Sequence, residues 1–168
     1  MDKTPILIAI CGLPGSGKSS IAQVVAQRLS AVHLNSDRIR RELFVTRTYS
    51  AEESQIVYQT LFQRAAAALT TGRDAVLDAT FIKAAHRQPI FELARATGAR
   101  LHLVYVTCTP AVTEARLAAR AGDVSEADVE VYRLLATQFE PIIEPHIHID
   151  NSADLPKFQW MQIEMAQM

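Results

Sequence analysis

The sequence predicts an α/β fold of three layers, with helices on both faces of a five-stranded parallel sheet. Three observations predict it. Short apolar segments alternate with longer ones whose apolar residues recur at helical spacing. The first segment, PILIAIC (5–11), is continuously apolar rather than alternating, as a strand covered on both faces requires. A turn rich in glycine and carrying Lys18 lies between that strand and an amphipathic segment. Parallel strands joined by helices impose right-handed crossovers. At 168 residues the chain suits a single domain, 1–168, which buries roughly 68–70% of its unfolded surface without cross-links.

Residues 5–11 form the first strand, and Ile21, Val24, Val25 and Leu29 mark one face of a helix over 18–29. AVHLNS (31–36) reads as the second strand, followed by a charged helical turn, DRIRREL (37–43). Ser50 and Glu53 form a capping box opening a helix that runs to Gly72. Its apolar face carries Ile56, Val57, Leu61, Phe62, Ala65 and Leu69. DAVLDAT (74–80) is the third strand, and residues 84–97 are helical up to Gly98. ARLHLVYVTC (99–108) is the fourth strand, after which Thr109 and Pro110 suit the N-cap and first turn of a helix to about Ala121. GDVS breaks that helix, and Ser125 is expected to cap another with Asp128 at its third position. PHIHID (145–150) is the fifth strand, and 154–167 an amphipathic terminal helix. Ligands of such sheets bind beyond the C-terminal strand ends. That places Gly12–Ser19, Ser36–Asp37, Asp78–Thr80 and Thr107–Thr109 along one rim.

A hydrophobic share of 49% and a charged share of 21% are those of an ordinary globular domain. Net charge of −1 and a pI near 6.5 give no global basic field for duplex nucleic acid. Two cysteines do not suggest a disulfide framework. Neither a secretory leader nor a membrane-length apolar run is present, so a cytoplasmic protein without a membrane partner is expected. Cys11 and Cys108 read as small buried residues, and His146 and His148 as structural or solvent-facing. His86 and Arg87 either line a pocket or begin an exposed helix.

GLPGSGKS (12–19) has the spacing G-x-x-x-x-G-K-[ST] between a strand and a helix. Glycines there let backbone N–H groups turn inward around phosphate oxygens, and the helix dipole adds positive potential. Gly12, Pro14, Gly15, Ser16, Gly17 and Ser20 would form the cradle, Lys18 would reach the outer phosphates, and Ser19 would ligate Mg²⁺. No N-K-x-D motif for a guanine base occurs. Ala79, not a glutamate, follows Asp78, which argues against water activation and for transfer to another acceptor. Asp37 emerges at the same rim, where its carboxylate could take the proton of an attacking hydroxyl. Arg40, three residues on, shares its helical face and suits an anionic acceptor. Arg116 and Arg120 lie four apart, a like-charge pair that phosphates between them would stabilise. With the following AGDVS they read as a lid over about 114–126.

GLPGSGKSS, LNSDRIRRELF, VLDATF and RLAARAGDVSEAD, in that order, resemble the small P-loop kinases of the polynucleotide kinase and zeta-toxin type. They resemble more closely the bacterial AAA-type kinase-like domain that occurs alone or fused to aminoglycoside-phosphotransferase-like domains. The resemblance covers about residues 5–150 and implies a strand order 2-3-1-4-5. It implies ATP as donor, Mg²⁺ as cofactor, and Asp37 as general base. Arg40 and Thr80 would sit at the acceptor, Asp78 at the acceptor and metal end, and Arg116 and Arg120 on the donor phosphates. The expected activity is transfer of the γ-phosphoryl group to a hydroxyl of a small molecule. The alternatives are a polynucleotide 5′-hydroxyl acceptor, which the acidic pI disfavours, and a nucleotide-sensing module without turnover.

Overall fold

The computed structural model describes residues 4–120 and 126–153. Along the chain run β1 (Ile6–Cys11), α1 (Lys18–Leu29), β2 (Val32–Asn35), α2 (Ser36–Leu43), α3 (Ala51–Thr70) and β3 (Ala75–Asp78). They are followed by α4 (Ala84–Thr97), β4 (Arg100–Thr107), α5 (Pro110–Ala118), α6 (Val129–Gln138) and β5 (Ile147–Asp150). The five strands pair in parallel in the order β2-β3-β1-β4-β5, as the resemblance implied.

Strand alternation divides the core in two. Leu7, Ala9 and Cys11 point into one apolar layer, shared with Val57, Leu61 and Leu69 of α3 and Ile90 of α4. Ile6, Ile8 and Ile10 point the other way, against Ile21, Ala22 and Ala26 of α1. All six residues of β1 are buried, which is why its sequence is apolar without a break. Buried Asp74 aligns the strand starts: its carboxylate accepts the Ile6 N–H at 2.8 Å and its carbonyl the Val32 N–H at 2.8 Å.

The helix ends depart from expectation where capping is shared with distant residues. The Ser50 hydroxyl accepts the Glu53 N–H at 3.1 Å, but the Glu53 carboxylate turns to Arg40 and Thr48, leaving half a capping box. Ile56 is 45% exposed, so it lies off the buried face of α3. Thr109 occupies the N-cap of α5 without using its hydroxyl, and its N–H donates to Ser152 Oγ at 2.9 Å. That helix ends at Ala118, short of Ala121. At α6 the N-cap is Asp128, accepting the Val131 N–H at 2.9 Å, and not Ser125. Ser125, most of the lid's second half and the expected helix over 154–167 lie outside the described residues. Among the described residues, no helix is long and apolar enough to cross a membrane.

Candidate active site

The loop between β1 and α1 turns at the centre of the sheet, with Asp37 at the start of α2 on one side and Arg116 of α5 on the other. Gly12 is needed for close approach: a Cβ there would lie 2.5 Å from the Val106 carbonyl oxygen. Gly17 has φ of +87°, a backbone conformation L side chains rarely adopt, and immediately precedes the first turn of α1. Within the loop Pro14 and Ser16 are buried, and the Ser16 hydroxyl makes no hydrogen bond. An orphaned hydroxyl in a glycine-rich turn at a helix N-terminus fits an anion that would satisfy it.

A cavity of about 190 Å³ opens above the loop. Gly15, Gly17, Lys18, Ser19 and Ser20 form its floor, and Asp37 and Arg120 line it from opposite elements. The structure therefore brings together seven of the residues expected at the site. Lys18 is almost buried at the start of α1.

Asp78 lies at the end of β3 with no exposed surface. Its carboxylate accepts the Ser19 hydroxyl at 3.2 Å and the Asn35 amide at 2.7 Å, and meets His33 Nε2 at 3.2 Å. Burial pushes its pKa up, but the His33 contact, the Lys18 charge and the Asn35 hydrogen bond hold it below the usual carboxylate range. The donor set suits a hard cation: Ser19 Oγ and an ionised Asp78 are oxygen ligands, and Mg²⁺ takes its remaining ligands from phosphates and water. Among the described residues no cluster of three or more His, Cys, Asp or Glu is placed to hold a metal ion. Thr80, two residues past β3, is half-buried: its hydroxyl bonds Tyr58 and its carbonyl accepts the Gly12 N–H at 3.3 Å.

Arg40 requires a correction. It was expected to bind an anionic acceptor, but it is buried inside the α2–α3 junction. Its guanidinium pairs with Glu53, donates to Ser54 Oγ at 3.2 Å and covers the Tyr49 ring at 4.7 Å. Arg38, two residues earlier and so on the other side of α2, lines the cavity in its place. His33, Asn35 and Gln23 also line it and were missed. Two polar residues spaced i, i+2 on a strand ending at the rim were the available signal, since such residues share a face.

Arg116 lies close to the loop, its Nη1 3.8 Å from the position a Gly17 Cβ would take, and donates through Nη2 to the Asn151 carbonyl at 2.9 Å. Arg87 is fully buried, donating to the Phe81 and Pro141 carbonyls at 2.9 and 3.0 Å; it fixes the β3–α4 loop and does not face the cavity. Burial pushes the Cys11 thiol up to about 12, consistent with a packing residue. His146 and His148 surround Tyr105 with ring centroids 6.0 and 5.6 Å away, a structural aromatic cluster.

Comparison with known proteins gives the same architecture. An uncharacterized protein of Mycobacterium tuberculosis is 29% identical over 144 residues, 79% of this chain and 29% of that protein. The chain thus spans under a third of the length of these mycobacterial relatives. The thermoresistant gluconokinase of Escherichia coli is 28% identical over 144 residues, covering 83% of this chain and 77% of that one. Among solved structures, a putative kinase from Chloroflexus aurantiacus superposes with a TM-score of 0.78 at 19% identity, covering 99% of this chain and all of that one. The Mycobacterium tuberculosis APS kinase in complex with AMPPNP and APS gives 0.72 at 20% identity, with 98% and 99% covered. The family model described as AAA domain matches residues 7–142, so the chain belongs to the AAA_33 family of P-loop kinase folds.

Proposed function

We propose that this protein transfers the γ-phosphoryl group of ATP to a hydroxyl of a small-molecule acceptor. The observation that carries the reading is a cavity with Lys18 and Ser19 on its floor and Asp37 and Arg38 facing them. A donor phosphate on the loop and an acceptor hydroxyl at Asp37 would share that space. Asp37 accepts the hydroxyl proton as the acceptor oxygen bonds to the γ-phosphorus and the bond to the bridging oxygen of ADP breaks. Lys18, Arg116 and Arg120 hold the phosphate oxygens on which charge is spread. Ser19 and Asp78 would hold Mg²⁺, which when bound supplies charge neutralisation between the outer phosphates.

Ala79 leaves no carboxylate after Asp78 to orient a water, which supports transfer over hydrolysis. The gluconokinase relative and the near-neutral charge support a small molecule as acceptor over a polynucleotide. The test supplies ATP labelled in its γ-phosphate, with a metabolite extract and a 5′-hydroxyl oligonucleotide in parallel. Label is expected on small molecules and absent with Asp37→Asn. Label on the oligonucleotide alone would assign a polynucleotide kinase, and label on neither would leave a nucleotide-binding module without transfer.

A further inference from the structure

We infer that Asn151 is a positioning residue that sets the Arg116 guanidinium against the phosphate-binding loop through a hydrogen bond from its side-chain amide. The inference rests on the phosphoryl-transfer reading of the site. Asn151 follows β5 directly and is anchored by its N–H to the Thr107 carbonyl at 2.8 Å, at the end of β4. Its side-chain Nδ2 crosses to the loop and donates to the Ser16 carbonyl at 2.9 Å. Its own carbonyl accepts Arg116 Nη2 at 2.9 Å, while Nη1 of the same guanidinium meets Cys108 Sγ at 3.5 Å. One residue therefore joins a strand end, the loop backbone and the arginine of α5.

Two geometric facts give the contact a role beyond packing. A trans peptide directs its C=O and N–H to opposite sides, and no peptide among the described residues is cis. A Ser16 carbonyl held by Asn151 thus turns the Gly17 N–H away from Asn151, and Gly17 is one of the residues lining the cavity. Second, Asn151 and Arg116 converge on Gly17 itself. A Cβ on Gly17 would lie 2.2 Å from Asn151 Nδ2 and 3.8 Å from Arg116 Nη1. The glycine is thus the gap through which the amide reaches the loop. Arg116 is held by a backbone carbonyl whose distance from the loop the Asn151 amide fixes, so little ordering remains when phosphate binds.

The test uses the purified full chain and Mg²⁺ with AMPPNP as probe, so no acceptor is needed. Asn151→Leu keeps the volume without the donor or any added charge, Asn151→Ala removes both, and each is combined with Arg116→Ala. Both single Asn151 variants are expected to weaken AMPPNP binding about 5–10-fold, the size of one lost hydrogen bond. In the double variants the two losses should overlap, giving less than their product, with far-ultraviolet circular dichroism unchanged in Asn151→Leu and its melting temperature lowered by no more than about a few degrees. Wild-type affinity in Asn151→Leu, or losses that multiply independently, overturns the inference and leaves the functional reading standing. Failure of the wild-type chain to bind Mg²⁺–AMPPNP overturns both.

Discussion

Burial alone would neutralise Asp78, yet three neighbours on two other elements keep it charged beside Ser19. Asp37 differs: it stands at the start of α2 and lines the open cavity, where the proposed acceptor hydroxyl would reach it. Two carboxylates at one rim are thereby separated by environment into a fixed anion and a candidate base. Asp37→Asn keeps the shape and removes the proton acceptor. Its expected cost is about 10²–10⁴-fold in kcat with the AMPPNP Kd nearly unchanged. Transfer at the wild-type rate with saturating acceptor would reduce Asp37 to a surface charge. Lys18→Ala should act on the other partner. Loss of a charged hydrogen bond worth about 1.5–3 kcal/mol predicts roughly 10–150-fold weaker Mg²⁺–ATP binding, read by calorimetry. An unchanged Kd would remove the phosphate assignment from the loop.

At the scale of elements, the junction of α2 and α3 is tied by a buried charge pair and its hydrogen bonds. Glu53 accepts from Arg40 and from both the N–H and hydroxyl of Thr48, at 2.7 and 2.9 Å for the latter two. Burial would raise its pKa, but the Thr48 and Arg40 hydrogen bonds overcome this and lower it from 4.5 to about 2. A depressed folded-state pKa gives stability that is complete above the unfolded value and lost as pH falls. The melting temperature is therefore expected to drop between about pH 5 and pH 2, and Glu53→Gln should flatten that limb while lowering stability at neutral pH. An unaltered acid limb in Glu53→Gln would show that the junction does not titrate with the fold. This same junction marks where the sequence stops being legible. Strands and helices announced themselves through apolar period, and the glycine loop through spacing that few other structures need. Arg40 read as an acceptor-binding arginine because its partner lies 13 residues on, across a loop with no periodicity. Asn151 was invisible for the same reason at longer range, 135 residues from the carbonyl it holds. The start of α6 was misplaced because Ser125 and Asp128 are both good caps, and only the fold decides between them.

For the molecule as a whole, the sheet is assembled out of chain order. The first strand is central, with β3 on one side and β4 on the other. Its pairing with β4 matches Ile6 to Arg100, and the Asp74 carboxylate that caps its start comes 68 residues after Ile6. Contacts of this separation slow folding, because a long loop must close before any of them forms. A chain cut after Gly98 would carry β1 with an open apolar edge, and is expected to lack a cooperative urea transition and to aggregate. A sharp, reversible transition in that fragment would show that β4 is dispensable to the core. On the ribosome the consequence is a delay. At about 5–20 residues per second, the most apolar strand of the protein emerges on the order of ten seconds before its second neighbour is made. During synthesis, then, the segment that will seat the phosphate loop is the one most in need of a chaperone.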